Sequence, residues 1–325
     1  MTIWQEGMIR LARSEKVTDF AQRQPWLSGL ANQFVGGASV ADARNSALEL
    51  ARSGITSTLF YLGEYVSDPE LIAQTVTELK AALAATAGES LDVCVSVDPT
   101  QIGLMADAET CTANARDLAT TVRSAARQPR PGHDALIIDM EDASVTDATI
   151  DLYWSLRAED LPTAITIQAY LHRTPADLGR LITAGAWVRL VKGAFAEPAD
   201  IAVRSAVDRD SRYRRCASQL LGRAAREAGV YPSFATHDHR LIEEIITQAE
   251  AQGWPADAFE FEMLHGVRPD LQRELARRGY RVRVYLPFGT DWFPYAIRRV
   301  GDSPRNLRFV AATLTRRGAA PGGAP

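Results

Sequence analysis

Near the end of the sequence, an aromatic residue and two arginines have a spacing that suits anion binding. Tyr295, Arg298 and Arg299 stand at i, i+3 and i+4 in the stretch YLPFGTDWFPYAIRRV, residues 285–300. On a helix these side chains share one face, which then carries a ring and two guanidinium groups. A planar guanidinium fits a carboxylate or a phosphate. The spacing therefore indicates an anion clamp, and the simpler alternative is a solvated basic turn.

Polar residues also stand at the ends of several short apolar stretches. They are Asp98, Asp139, Glu141, Asp142, Gln168, Arg189, Lys192, Thr236, His237, Asp238, Glu262 and Tyr285. Taken singly, such residues often have structural roles, and Asp142 or Asp238 could simply begin the next helix. Taken together, Arg189 and Lys192 would supply positive charge for a phosphate or for a flavin that becomes anionic on reduction. The set indicates one polar site, provided that the fold brings its members together.

The elements that must position these residues alternate along the chain. Strands are predicted at 54–61, 91–97, 135–138, 163–168, 187–191, 231–236, 259–263 and 281–286. Amphipathic helices are predicted between them, at 68–85, 106–127, 146–159, 175–184 and 241–253, and the connection 197–229 has room for two more. An open doubly wound sheet usually has a glycine-rich turn after its first strand, whereas the stretch LGEYVSDPE has one glycine. The pattern therefore predicts a (βα)8 barrel, in which all strand ends meet at one rim.

Composition narrows the class of protein. The apolar fraction of 46% and the charged fraction of 23% are ordinary for a soluble globular chain. A net charge of -4 with intermixed signs argues against nucleic acid as a partner. Three cysteines without CxxC spacing favour a reducing, cytoplasmic setting. We expect a helical extension at 1–45, the barrel at 46–316 and a disordered tail at 317–325.

Seven stretches resemble the proline dehydrogenase family in order and spacing. They are LIIDMED, TIQAYLHR, VRLVKGAF, SFATHD, FEFEMLHGVRP, VYLPFG and YAIRR, within about residues 55 to 315. The resemblance implies a distorted (βα)8 barrel that holds non-covalent FAD at its strand ends, with the last helix over the mouth. It implies oxidation of L-proline at the C5–N bond to Δ1-pyrroline-5-carboxylate, by hydride transfer to flavin N5. It also implies a quinone-type electron acceptor, which is compatible with peripheral contact at the inner face of a membrane.

The resemblance assigns roles residue by residue. Arg298 and Arg299 would bind the substrate carboxylate, while Tyr295 and Leu264, with Phe195 nearby, would enclose the substrate ring. Tyr285, Asp139 and Asp98 occupy positions of active-site residues. The flavin-contacting positions are Gln168, Arg189, Lys192, Gly193, Ala194, Thr236, His237 and Glu262.

Three residues depart from the family pattern. Asp98 stands where lysine is usual, Phe195 where tyrosine is common, and Glu262 where glutamine is common. We expect Asp98 to lie near Asp139, where two ionised carboxylates would repel each other. One of them would then hold a proton, or Asp98 would turn away, or a cationic group of the substrate would lie between them.

Two other functions stay open. The first is a divergent flavoenzyme that oxidises a C–N or N–N bond of a hydrazino or diamino acid in a specialised biosynthetic pathway. The second is a metal-dependent barrel hydrolase with Asp139, Glu141, His237 and Glu262 as ligands. The second is disfavoured because the first strand lacks an HxH pair and because Arg189 and Lys192 would repel a metal ion. We therefore expect no metal.

Overall fold

A computed structural model describes residues 33–63, 66–89, 91–126 and 131–302 of the 325-residue chain, with side chains up to residue 299. Eight parallel strands within these residues close in chain order, because β8 pairs with β1. The strands are β1 Thr56–Tyr61, β2 Cys94–Val97, β3 Ala135–Ile138, β4 Thr163–Gln168, β5 Trp187–Val191, β6 Tyr231–Ala235, β7 Glu260–Leu264 and β8 Arg281–Phe288. The predicted (βα)8 barrel is confirmed.

In the described part of the chain, one helix precedes β1 and the other helices follow the strands. They are α1 Val40–Ala51, α2 Pro69–Ala87, α3 Ala108–Ala125, α4 Thr146–Ala158, α5 Thr174–Thr183, α6 Ala206–Leu220, α7 Arg223–Glu227, α8 His239–Ala251, α9 Pro269–Arg277 and α10 Trp292–Asp302. A short 3-10 helix, Pro99–Ile102, follows β2. The connection after β5 holds two helices, as its length predicted. No described helix is both long enough and apolar enough to cross a bilayer.

Three predicted strands begin later than the sequence suggested: β1, β2 and, by one residue, β7. Gly54 has a φ of +70° and belongs to the turn after α1, so β1 begins at Thr56 rather than at residue 54. Before β2, the amide of Val93 donates to the side chain of Asp134 at 2.9 Å. Because the side chain of Asp134 occupies this backbone amide, strand β2 begins at Cys94 rather than at residue 91.

Residues alternate between the two faces of each strand, which explains how polar groups reach the interior. On β8, Val282 and Val284 pack in the main hydrophobic core, which also contains residues of the outer helices. Between them on the same strand, Arg283 points into the barrel and is fully buried. The same period-two pattern places Glu260 and Glu262 of β7 inside, since Phe261 and Met263 lie in the core. The barrel interior is therefore rich in charged groups.

The strand that closes the barrel is supported by the first part of the described chain. Helix α1 contacts β1 and β8 from outside and buries Ala43 and Ala47 in the main core. It runs across residue 45, where we expected the extension to end. The segment before it crosses the end of β8, because Gly36 N donates to Pro287 O at 2.7 Å and Gly289 N donates to Gly37 O at 3.0 Å. Residues 1–32 and the predicted tail at 317–325 lie outside the described residues.

Candidate active site at the barrel mouth

Arg189 on β5 lies at the centre of a buried network inside the barrel. Its Nε and Nη2 donate to the two carboxylate oxygens of Glu262 on β7, at 2.6 and 2.8 Å. Its Nη1 donates to Asp139 at 2.6 Å and to Ser96 at 2.9 Å. The guanidinium carbon lies 5.3 Å from the centre of the Tyr285 ring. These contacts use four of the five N–H groups, and the remaining one on Nη2 has no acceptor among the described residues.

Asp139, at the end of β3, accepts hydrogen bonds from four neighbouring strands. Ser96 of β2 donates to it at 2.7 Å and Thr166 of β4 at 2.8 Å. The Tyr285 hydroxyl of β8 donates at 3.0 Å, in addition to Arg189 of β5. Both carboxylate oxygens are thus engaged, and the carboxylate orients the phenol of Tyr285.

The phenol of Tyr285 is held in its neutral form. Burial raises its pKa well above the usual value, and the negative charges of Asp139 and then Asp98 raise it further. The half-buried Asp98 therefore lies in the same corner of the mouth as Tyr285. Whether Asp98 shares a proton with Asp139, as the departure from the family pattern suggested, stays a prediction.

Glu141 fixes the loop that carries Asp98. Its two carboxylate oxygens accept from the amide of Thr100 at 3.0 Å and from the Thr100 hydroxyl at 2.6 Å. These bonds attach the first turn of the 3-10 helix after β2 to the end of β3. Asp98 immediately precedes that helix and is therefore held between rigid elements.

Gln168, the last residue of β4, presents an unused acceptor. Its amide nitrogen donates to the carbonyls of Met140 and Glu141, both at 3.1 Å. Its Oε1 atom is buried and accepts from no donor within the described ranges. A buried acceptor without a donor is costly unless a ligand supplies one. The orientation of Gln168 is therefore suited to a ligand N–H.

The chain after β5 is shaped by a glycine and an ion pair. Lys192 Nζ lies 2.6 Å from Asp210 and 3.5 Å from Asp238, so its charge is partly neutralised. Gly193 has a φ of +104°, and a Cβ there would lie 2.1 Å from the ring of Tyr170. Glycine is thus required by the turn and by packing. Ala194 is exposed, and Phe195 is half-buried beside it.

At the end of β6, His237 is a neutral acceptor with a defined tautomer. The amide of Leu264 donates to its Nε2 at 2.9 Å, so the proton of the neutral ring is on Nδ1. Burial lowers the pKa of His237 to about 4, and the nearby charges of Arg299 and Arg268 act in the same direction. The neighbouring Thr236 is buried and accepts from the amide of Asp238 at 3.1 Å.

Helix α10 carries the predicted clamp over the mouth. Tyr295 is 7% exposed, and the guanidinium carbon of Arg299 lies 5.2 Å from the centre of its ring. Arg299 contributes to the lowered pKa of His237 on β6, and Tyr295 contributes to the raised pKa of Tyr285 on β8. One face of α10 therefore looks onto the strand ends. Arg298 is half-buried next to Arg299.

The sequence prediction missed some partners of these residues. Ser96 and Thr166 bind Asp139, and Asp210 binds Lys192, although none of them had been singled out. The period-two alternation of β2 and β4 could have identified Ser96 and Thr166 as inward-facing. Asp238 begins α8 as predicted, since its side chain accepts from the amide of Arg240. Asp142 does not cap α4, because its carboxylate instead accepts from the amide of Ser144 at 2.9 Å.

The four acidic and imidazole side chains proposed for a metal do not form a metal site. Asp139 and Glu262 both bind the guanidinium of Arg189, and Glu141 binds Thr100. Within the ranges that the structure describes, no group of three or more His, Cys, Asp or Glu side chains could hold a metal ion.

The chain is similar to proline dehydrogenases over most of its length. The sequence model of the family described as Proline dehydrogenase matches residues 43–312. A proline dehydrogenase of Deinococcus radiodurans is 34% identical over 313 residues, which cover 95% of this chain and 96% of that protein. Proline dehydrogenase 1 of Bacillus subtilis (strain 168) is 36% identical over 302 residues, covering 92% and 95%.

The fold also matches a solved structure. A crystal structure of proline utilization A from Bdellovibrio bacteriovorus, inactivated by N-propargylglycine, superposes with a TM-score of 0.76 at 20% identity. The match covers 97% of this chain and 41% of that longer chain, so it supports the barrel fold alone. From the family match and the two bacterial relatives, we conclude that the chain belongs to the proline dehydrogenase family, a family of amino-acid dehydrogenases.

Proposed function

We propose that this protein is a FAD-dependent dehydrogenase that oxidises L-proline at its C5–N bond to Δ1-pyrroline-5-carboxylate. The observation that carries the proposal is the arrangement of the mouth. A buried, hydrogen-bonded floor around Arg189 and Asp139 lies below a helix that presents Tyr295, Arg298 and Arg299. Such a mouth can hold a flat cofactor and an anionic ligand together.

The residues at the strand ends fit a flavin. The unused acceptor of Gln168 suits the imide N–H of an isoalloxazine, and the remaining N–H of Arg189 suits one of its acceptor atoms. The Nδ1–H of His237, the hydroxyl of Thr236, the Lys192 ammonium and the amides of Gly193 and Ala194 are further donors for FAD. Glu262 would act through Arg189, whose guanidinium it binds. When bound, FAD supplies the acceptor for the hydride equivalent that leaves C5 of proline.

The substrate would be held by its carboxylate and by its ring. Arg298 and Arg299 bind the carboxylate as paired donors, which fixes orientation as well as affinity. Tyr295 packs on one face of the pyrrolidine ring, with Leu264 and Phe195 as the other walls. Tyr285, oriented by Asp139, lies beside the reacting carbon. Asp98 faces this corner of the pocket.

The same residues prepare the substrate amine. Proline must lose its extra proton before C5 can release a hydride, because the nitrogen lone pair stabilises the developing cation. Burial and the positive charges of Arg298 and Arg299 both lower the pKa of an amine. The closed helix also excludes water from the reacting atoms.

The test uses the colour of the purified protein. We expect a yellow protein that releases its flavin on denaturation and whose flavin absorbance is bleached anaerobically by L-proline. Colourless protein that cannot be reconstituted with FAD would contradict the cofactor assignment. A quinone-type acceptor, and with it a cytoplasmic location that includes the inner membrane face, is part of the proposal. Faster turnover with ubiquinone analogues than with dioxygen would support that part.

Asp98 favours a second candidate, a related flavoenzyme that oxidises a C–N or N–N bond of another amino acid. A carboxylate close to Tyr285 would suit a substrate with an additional cationic nitrogen, such as a hydrazino or diamino acid. Anaerobic bleaching with a panel of proline analogues, hydrazino acids and diamino acids distinguishes the two. Absence of bleaching by proline at high concentration, together with bleaching by a cationic analogue, would select the second.

A further inference from the structure

The buried cation at the mouth is surrounded by an excess of negative charge. Arg189 is 3% exposed and contacts two carboxylates, Asp139 and Glu262, both at 2.6 Å. Glu262 is 2% exposed, so water screens this cluster only weakly. One positive charge therefore faces two negative charges in a dry interior.

The hydrogen bonds of the Glu262 side chain fit an ionised carboxylate. Its Oε2 accepts from Arg189 Nε and its Oε1 from Nη2, so both carboxylate oxygens act as acceptors for one planar guanidinium. A protonated carboxyl would direct an O–H at one of these N–H groups. Burial raises the pKa of Glu262, and the adjacent charge of Arg189 opposes that shift. The bidentate geometry fits the carboxylate, and this geometry places two acidic side chains on one cation.

The unused N–H of Arg189 and the unused acceptor of Gln168 lie on adjacent strands, Gln168 at the end of β4 and Arg189 two residues before the end of β5. Gln168 pairs in register with Val191, two residues after Arg189. The two unused groups are the contacts that the proposed function assigns to the flavin. Glu262 binds the same guanidinium through other N–H groups. In the proposed complex, the Arg189 guanidinium would therefore lie between Glu262 and the flavin.

We propose that Glu262 lowers the reduction potential of the flavin bound at this mouth. This inference rests on the proposed function. A flavin gains negative charge on reduction, and a cation beside it stabilises the reduced form. A second carboxylate on Arg189 cancels that stabilisation. Glutamine at this position would leave one cation facing one carboxylate, so Glu262 is a tuning residue that acts through Arg189 and does not touch the substrate.

The test compares the potential of bound FAD in the wild-type protein, in Glu262→Gln and in Glu262→Asp, by equilibration with a reference dye. We expect a positive shift in Glu262→Gln. We also expect the affinity of the oxidised flavin for sulfite, which binds as an anion, to rise on the order of tenfold in that variant. Glu262→Asp keeps the charge and should retain a potential close to that of the wild type.

A matched control is Glu243→Gln, which removes a carboxylate from the outer surface, where it pairs with Arg278. It should leave both the potential and sulfite affinity unchanged. Unchanged values in Glu262→Gln would overturn the inference while leaving the proposed function intact. A positive shift of the potential in Glu262→Asp would also overturn the inference, because packing rather than charge would then be responsible. The measurement on Glu262→Asp is available even if Glu262→Gln does not fold. Failure of the wild-type chain to bind FAD would overturn both.

Discussion

At the scale of single residues, the mouth is built on carboxylates whose oxygens are fully used. Asp139 receives donors from β2, β4, β5 and β8, so its position is fixed by half of the barrel. A carboxylate held in this way can orient Tyr285 without rearranging when a ligand enters. This rigidity is what a pocket needs to hold a reacting carbon against a cofactor.

The clamp gives the first prediction. Arg298→Ala should reduce kcat/KM for the substrate by a factor of about 100 to several thousand, because removing one partner of a buried ion pair costs roughly 3–5 kcal/mol. The flavin spectrum of the purified variant should be unchanged. Arg223→Ala is the control, since that arginine is on the surface with 80% of its side chain exposed. Wild-type kcat/KM in Arg298→Ala would exclude the clamp role.

The second prediction concerns pH and His237. Its pKa of about 4 in the folded protein lies below the usual 6.5, so the unfolded chain binds more protons between these values. The stability contribution is therefore complete above about pH 6.5 and is lost as the pH falls towards 4. We expect the free energy of unfolding to decrease by about 2 kcal/mol from pH 7 to pH 5 through this residue.

Urea unfolding at both pH values measures this effect. The decrease should become smaller in His237→Gln and should persist in His239→Gln, where the histidine is exposed on α8. An equal pH dependence in His237→Gln and the wild type would contradict the assignment of His237 as a buried neutral acceptor.

At the scale of elements, the position of α10 depends on the segment that precedes α1. Phe34 is fully buried in a cluster with Phe60, Phe293 and Ala296, which joins this segment to β1 and α10. The backbone at Gly266, after β7, packs directly against the backbone of this segment, because a Cβ on Gly266 would lie 1.8 Å from the carbonyl oxygen of Gln33. The position of α10 therefore depends on residues that are far away in sequence.

Phe34→Ala should therefore affect the substrate more than the cofactor. We expect a loss of roughly 3–5 kcal/mol in the free energy of unfolding. We also expect KM to rise more than kcat falls, with FAD retained. Phe259→Ala is the control, because this equally buried phenylalanine packs with Phe234 and Phe261 away from α10. A similar rise in KM in both variants would show that α10 responds only to overall stability.

The elements themselves were largely predictable from sequence, but their ends and contacts were not. The β-branched stretches predicted all eight strands, because buried parallel strands are nearly continuous apolar stretches. The start of β2 was not predictable, since it depends on a side chain of Asp134 from another part of the chain. Asp142 could be either a site residue or a helix cap by its sequence, because residue type alone does not distinguish a cap from a turn in which the carboxylate accepts from the amide of Ser144.

At the scale of the whole molecule, the barrel interior contains a second charged layer below the mouth. Arg283 and Glu260 are both fully buried, with Arg283 Nε 3.0 Å and 3.1 Å from the two carboxylate oxygens. Arg283 Nη2 also donates to Asp92 at 2.9 Å. Ser233 donates to Glu260 at 2.5 Å. This layer was not predictable from the sequence, because a charged residue in an apolar strand pattern does not reveal its partner.

Glu260→Gln tests the role of this lower layer. Removing its charge leaves Arg283 buried with a weaker partner, and we expect a loss of roughly 3–5 kcal/mol in the free energy of unfolding. Chemical denaturation measures the change, and substrate KM should stay close to that of the wild type. The surface variant Glu243→Gln should lose less than about 1 kcal/mol. Equal stability of both variants would mean that the buried pair contributes nothing beyond a surface pair.

The bonds between residues 36–37 and the end of β8 bear on the order of events during folding. They join distant parts of the chain, at the place where the circle of strands is completed and beside the helix that covers the pocket. Non-local contacts of this kind are slow to form, because a long loop must be ordered first. Before the contacts at this place form, β8 is not joined to β1 and α10 lacks the contacts that position it. We therefore expect that the flavin of the proposed function binds only after the barrel has closed.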